Sequence, residues 1–162
     1  MPALADITEN EIYKLDQIDR DILYILQQDS RSSASYIAEK VGMSIPAVTD
    51  RIKKLCDSGV VIGFTSVLDH RKIGLDVCAF ITIISESWSH YSSVVTRANK
   101  MLEVVQCFTT TGNGSHVLLA ITENTSSLEK LLRTIQSWPG VMRTETQVVL
   151  SSYKNFNCLQ IP

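Results

Sequence analysis

A capped helical segment at residues 44–57 constrains the fold of this chain more than any other feature. Ser44 suits an N-cap, Pro46 is tolerated in a first helical turn, and Gly59 ends the pattern. The apolar residues recur at spacings of three and four, which places them on one face of a helix. They are Ile45, Val48, Ile52 and Leu55. The segment therefore predicts an amphipathic helix that packs on a small core.

Two shorter helical patterns precede this segment. The first starts after Asp16, which suits an N-cap, and the second stops at Gly42. A short helix, a glycine turn and a capped third helix predict a helix-turn-helix domain, whose last helix enters the major groove of DNA. The inward faces of the first two helices carry Ile18, Ile22, Ile25 and Leu26, and then Ala34, Ile37, Ala38 and Val41.

The face of the third helix opposite its apolar side is polar. Small or polar residues in its first turns can approach base edges, and cations further along can meet phosphates. Asp50 can accept a hydrogen bond from a cytosine amino group, or it can orient Arg51 instead. Residues with hydroxyl groups lie at the start of the preceding helix, where backbone N–H groups can bind a phosphate. The candidate DNA-binding residues are Arg31, Ser32, Ser33, Ser35, Ser44, Pro46, Ala47, Thr49, Asp50, Arg51, Lys53 and Lys54.

The distribution of charge predicts weak DNA binding by a single copy. The net charge is −2. Residues 30–63 carry five basic and three acidic residues, a net +2, whereas residues 1–29 carry two basic and seven acidic residues, a net −5. Attraction to phosphate must be local, so we expect an oligomer that presents several copies. The alternative is that this face of the third helix is an ordinary solvent-exposed surface with lysines. The spacing of the three helices favours DNA binding over that alternative.

Composition and motifs argue against several other classes of protein. The chain has 44% hydrophobic and 20% charged residues, as folded cytosolic proteins do. We find no signal-peptide pattern and no apolar run of about 20 residues, so we expect a cytoplasmic protein with no membrane partner. Four widely spaced cysteines form no cluster with the three histidines, so we expect no metal and no cofactor. No catalytic arrangement stands out, and we expect no enzyme.

The second half of the chain alternates strands and helices. Residues 60–68 resemble a strand, and the polar residues 69–76 resemble a linker. The order of the later elements is βαββαβ, which predicts a ferredoxin-like domain in an α+β protein. The predicted strands lie at 77–84, 104–111, 116–122 and 144–150, and the predicted helices at 88–102 and 126–137. The resulting division is an arm at 1–14, a helix-turn-helix (winged-helix-like) domain at 15–68, a linker at 69–76, a ferredoxin-like oligomerisation and effector domain at 77–152, and a tail at 153–162.

Two strands of this domain are apolar on both faces. In residues 77–84 and 117–121 both alternating sets of side chains are apolar. Two helices cover only one face of such a sheet, so a second copy is expected to bury the other. The alternative is a core sheet with a few apolar residues on its surface.

Several short motifs follow one another along nearly the whole chain in a characteristic order. They lie at residues 15–23, 29–31, 37–38, 41–44, 51–52, 59–64, 112 and 138–141. In these motifs and their spacing the chain resembles the Lrp/AsnC (feast/famine) family of transcription regulators of bacteria and archaea. The resemblance implies a helix-turn-helix domain joined to a ferredoxin-like domain, dimers formed through the second domain and often assembled into octamers, double-stranded DNA bound at several half-sites, and an amino-acid effector held by the second domain.

The loop that the family uses for its effector departs from the family pattern. That pattern is glycine, an acidic residue, any residue and aspartate, whereas residues 112–115 here are Gly, Asn, Gly and Ser. Glycines let backbone amides hold a carboxylate, but a buried ammonium group needs an anion or several acceptors. Either the loop is a plain β-turn without a ligand, or it binds a ligand whose amine is met elsewhere, for example by Asn113. His116 either touches that ligand or is a partly exposed strand histidine. The candidate effector residues are Thr111, Gly112, Asn113, Gly114, Ser115 and His116.

The sequence thus predicts a sequence-specific DNA-binding transcription regulator that acts as an oligomer and responds to an amino acid or a related small molecule. Two alternatives remain open. One is an architectural protein that compacts DNA without a small-molecule effector. The other is a protein-interaction module built on a winged helix.

Overall fold

The computed structural model describes residues 12–86, 91–153 and 159–162. The chain passes from a first compact unit to a second after Val67, and residues 159–162 belong to the first unit again. Some expectations fall outside the described residues: most of the arm at 1–14, the start of the helix at 88–102, and residues 154–158 of the tail. Among the described residues no helix is long and apolar enough to cross a membrane.

The first unit contains the three predicted helices: α1 (Gln17–Gln28), α2 (Ala34–Val41) and α3 (Ile45–Asp57). Each helix starts where a side chain caps it. The carboxylate of Asp16 accepts from the backbone N–H of Asp19, and Ser44 accepts from Ala47. Gly42 ends α2 at a φ of 68°, in the left-handed region that glycine tolerates. The helices enclose a core of Ile22, Leu23, Leu26, Ile37, Ala38, Val48 and Leu55.

Two expectations for this unit are wrong. Ile45, expected in the core, is 50% exposed, because it sits at the first helical position, before α3 reaches the core. Residues 60–68 form no strand among the described part of the chain. Val60 and Val61 pack against the core, while Phe64 is exposed. An apolar alternation favours a strand only where a neighbouring strand supplies hydrogen bonds, and the described residues of this unit contain none.

The second unit contains four strands and two helices in the order βαββαβ, which confirms the predicted order. They are β1 (Val77–Ser85), α4 (Tyr91–Ala98), β2 (Val104–Thr109), β3 (His116–Thr122), α5 (Thr125–Gln136) and β4 (Val141–Val148). The strands form one antiparallel sheet with the order β2-β3-β1-β4. Helices α4 and α5 pack on one face of this sheet through Val94, Leu131 and Ile135, against Ile81 and Leu118.

Several bounds differ from the predicted ones. Helix α4 ends at Ala98, so Leu102 is 96% exposed instead of facing inward. Strand β2 ends at Thr109 instead of 111, and β4 begins at Val141, directly after a turn in which Gly140 has a φ of 81°. The predicted linker contains one short 3₁₀ turn, Arg71–Ile73. Short polar segments near glycine carry little periodic signal, which explains these shifts.

Candidate DNA-binding surface and effector loop

Helix α3 presents an exposed face from its first turn to its last. Pro46, Asp50, Lys53 and Lys54 are exposed, and Ala47 is partly exposed. The hydroxyl of Thr49 donates to the carbonyl of Ile45 at 2.9 Å, so its proton is used within the helix. The structure therefore brings most of the predicted base-reading residues onto one accessible side of α3.

Arg51 differs from the other cations of α3 because it is bound inside the unit. Its Nη1 lies 2.7 Å from Asp16 Oδ2 and 2.7 Å from Asp19 Oδ1. The Arg51 side chain is 28% exposed and that of Asp19 only 10%. The hydrogen bond to Asp19, followed by that to Asp16, raises the pKa of Arg51. Because Asp16 also caps α1, this guanidinium fixes the start of α1 to α3. The sequence placed Arg51 on the DNA side without revealing these partners.

The remaining two lysines of α3 are not equivalent. Lys54 Nζ lies 2.8 Å from Asp50 Oδ2, and this exposed pair lowers the pKa of Asp50 and raises the pKa of Lys54. The alternative that Asp50 orients Arg51 is wrong, because Asp50 pairs with Lys54 and Arg51 pairs with Asp16 and Asp19. The contact of Asp50 with a cytosine amino group stays a prediction. Lys53 has no ion pair within the described residues, so it is the α3 cation most available to a phosphate.

The start of α2 adds a second polar group to this unit. Arg31, Ser33 and Ser35 are exposed, and Ser32 is partly exposed. Ser33 caps α2 by accepting from the N–H of Tyr36, and its Oγ lies 2.9 Å from that of Ser35. The Arg31 side chain has no bonded partner among the described residues. Hydroxyls, helix N-terminal amides and a free guanidinium together suit an anionic oxygen.

The loop between β2 and β3 spans residues 110–115, so the connection is longer than a plain two-residue turn. The N–H of Thr110 donates to the carbonyl of Ser115 at 3.2 Å and closes it. Thr111, Gly112 and Asn113 are exposed, and Gly112 has a φ of 105°. A Cβ at Gly114 would clash with Cγ2 of Thr82, so only glycine fits there.

The end of the loop is turned into the unit. Ser115 Oγ lies 2.8 Å from Ser85 Oγ, 2.9 Å from His116 Nδ1 and 3.2 Å from the carbonyl of Ile83. His116 is fully buried, with its ring edge-on to that of Tyr91 at 4.8 Å between centroids. The expectation of a partly exposed histidine is therefore wrong. Sequence reasoning also missed Ser85, which lies thirty positions away.

Burial gives His116 an unusual electrostatic state. Desolvation lowers the pKa of its ring. Its Nε2 is buried and has no hydrogen-bond partner within the described residues, so a proton there would be an unpaired buried charge. We conclude that His116 is neutral and, with Ser115, shapes the loop from beneath.

A capped helix-turn-helix and a ferredoxin-like sheet on one chain define a two-domain DNA-binding regulator. Residues 15–62 match a family model described as winged helix-turn-helix DNA-binding. Residues 77–158 match the Lrp/AsnC ligand binding domain. The chain belongs to the Lrp/AsnC family of transcriptional regulators, which is a family of regulators, not of enzymes.

Individual relatives match over almost their whole length. The HTH-type transcriptional regulator FL11 of Pyrococcus horikoshii is 35% identical, covering 91% of this chain and 97% of the relative. The regulatory protein AsnC of Haemophilus influenzae is 33% identical, covering 87% and 95%. A transcriptional regulator of Neisseria meningitidis, solved as a complex with L-Met, superposes with a TM-score of 0.85 at 27% identity, covering 91% and 97%.

Proposed function

We propose that the chain is a sequence-specific transcription regulator of the cytoplasm that binds DNA as an oligomer and responds to an amino acid. The observation that carries the DNA-binding part is the exposed face of α3, which Ser44 caps and which carries Lys53, a cation with no ion pair among the residues that the structure describes. Arg31 at the start of α2 supplies a second contact of the same kind. Because Arg51 and Lys54 are engaged by carboxylates, few cations act in each copy, and several copies are needed for tight binding.

The open face of the sheet supports the oligomer. Phe80 of β1 lies opposite Leu119 of β3 in the register, and Phe108 of β2 lies opposite Val117. Phe80 is 40% exposed and Phe108 41%. These side chains lie on the face opposite α4 and α5, where a second copy would bury them, and apolar patches of this kind mark interfaces. Further dimers would then assemble around this pair.

The loop at 110–115 is where we place the effector. Its exposed glycine-rich backbone suits a carboxylate, and a structural neighbour from the same family binds L-Met. Because the hydroxyl of Ser115 is already held by Ser85 and His116, the exposed side chains of Thr111 and Asn113 are left to meet an ammonium group, and Asn113 contributes its amide oxygen. A neutral acceptor in place of a charged one costs about 2 kcal/mol, roughly thirtyfold in affinity. We therefore expect a weakly bound amino acid.

Two experiments test the parts of this proposal separately. Selection from a random duplex library, followed by footprinting, should yield one recurring half-site with discrete protection. Uniform coverage would favour the compaction of DNA instead. The double variant Arg31→Ala/Lys53→Ala should lose affinity for the selected site, whereas Lys130→Ala in α5 should keep it.

Calorimetry with the twenty amino acids tests the effector. At least one should give heat that Asn113→Ala weakens. No heat with any of them would remove the effector from the proposal and leave the DNA-binding part standing.

A further inference from the structure

One face of α1 binds the backbone of a distant segment. Arg20, Tyr24 and Gln27 follow at spacings of four and three, which places their side chains in one row along the helix. Residues 159–162, the docked segment, lie along this row. The row is on the first unit, and it belongs neither to the DNA-binding face of α3 nor to the effector loop.

The contacts recognise peptide groups, not side chains. Gln27 Oε1 accepts from the N–H of Leu159 at 2.5 Å, and its Nε2 donates to the carbonyl of the same residue at 3.3 Å. The Tyr24 hydroxyl accepts from the N–H of Ile161 at 3.2 Å and donates to its carbonyl at 3.4 Å. Arg20 Nε donates to the carbonyl of Pro162 at 2.8 Å. Two side chains thus imitate the paired bonds of a neighbouring β-strand.

Apolar packing fixes the position of the segment along this row. Ile161 packs against the core of the first unit, whereas the side chain of Leu159 is 75% exposed. Together with residues 60–67, the segment also lines a groove of about 1000 Å³. One partly buried anchor and five backbone hydrogen bonds offset the ordering of only four residues, so docking depends on each of these contacts.

We propose that this row on α1 is a docking surface for residues 159–162 of the same chain, and that docking makes the segment a second tether of the DNA-binding unit. The chain leaves the first unit after Val67, and residues 159–162 belong to that unit again. A unit held by a single connection is free to reorient, and a second connection restrains it. A restrained unit loses less entropy when several linked units bind to the same DNA. Docking itself requires neither DNA nor an effector.

Photo-crosslinking in the full chain tests the docking directly. A benzoylphenylalanine in place of the exposed Leu159 should form a crosslink to an α1 peptide, and the product should run as a single chain on a denaturing gel. Tyr24→Phe in the same background should reduce the yield several-fold, and the matched variant Gln28→Ala should not. A product of two chains, or equal yields in both variants, would overturn the proposal.

Hydrogen exchange and tumbling measured by NMR test the tether without DNA. The Ile161 amide should exchange slowly in the native chain and about tenfold faster in Tyr24→Phe, since two bonds are lost. The first unit should tumble more independently of the second in Tyr24→Phe/Gln27→Ala, which keeps Ile161. Exchange of Ile161 at the rate of an unstructured peptide, or unchanged tumbling in the double variant, would overturn it. Neither readout changes if the DNA-binding proposal fails.

Discussion

Lowering the pH should destabilise the second unit through one residue, His116. Its ring is fully buried, its Nε2 has no hydrogen-bond partner in the part of the chain that the structure describes, and burial lowers its pKa. The unfolded chain, with a histidine pKa of about 6.5, takes up a proton below that pH, whereas the folded chain does not. Because the unfolded state then binds more protons, stability falls as the pH falls, from about 6.5 down to the pKa of the folded state.

The size of the effect follows from one proton. Linkage limits the loss to about 1.4 kcal/mol per pH unit, so between pH 7.5 and 5.5 the native chain should lose up to about 1.4 kcal/mol through this group. His116→Leu keeps a similar volume and cannot take up a proton. It leaves Ser115 bonded to Ser85 and Ile83. At pH 7.5 the variant should therefore be less stable than the native chain by only about 1 kcal/mol, the value of the lost hydrogen bond between Ser115 and His116.

Urea unfolding at pH 7.5, 6.5 and 5.5, followed by fluorescence, measures this difference. Trp138, 5% exposed in the same unit, is the reporter. The loss of unfolding free energy on acidification should be smaller in His116→Leu than in the native chain. His70→Gln, which removes a histidine outside this cluster, should behave like the native chain. An equal loss in His116→Leu and the native chain would refute the reasoning.

Three further predictions concern the other surfaces. Lys53→Ala should lower the slope of log affinity against log salt by about 0.9, the value of one phosphate contact, while Lys130→Ala leaves it unchanged; equal slopes would count against Lys53. Gly114→Ala should lower the free energy of unfolding in urea by about 1–3 kcal/mol, because the new Cβ meets Cγ2 of Thr82. Adding Thr82→Ser removes that methyl group and should restore part of the lost stability. No recovery in the double variant would contradict the steric explanation. Phe80→Asp should yield monomers in sedimentation, and a persisting dimer would exclude the open face as its interface.

Local signals in the sequence predicted the helices of the first unit well. The caps at Asp16 and Ser44 and the stop at Gly42 lie within a few residues of the backbone groups they satisfy. The βαββαβ order of the second unit followed from short apolar runs, bounded by turn residues, that alternate with segments of helical periodicity.

Partners that are distant along the chain left no such signal. Arg51 resembled a phosphate-binding residue until the structure placed it against Asp16 and Asp19, more than thirty positions earlier. Residues 159–162 are recognised through their peptide groups, which every sequence has. The burial of Ser115 and His116 depends on the packing of the loop, and a strand period cannot tell which side of a loop faces inward.

The ratio of specific to non-specific DNA affinity tests the central claim most directly. Fluorescence anisotropy with the selected half-site pair and with a scrambled duplex of equal length, at one physiological salt concentration, gives this ratio. We predict a preference of about a thousandfold or more for the selected duplex. In Arg31→Ala/Lys53→Ala the affinity for both duplexes should fall together, because phosphate contacts carry no sequence information. Equal affinity for both duplexes, or a double variant that binds as tightly as the native chain, would contradict the central claim.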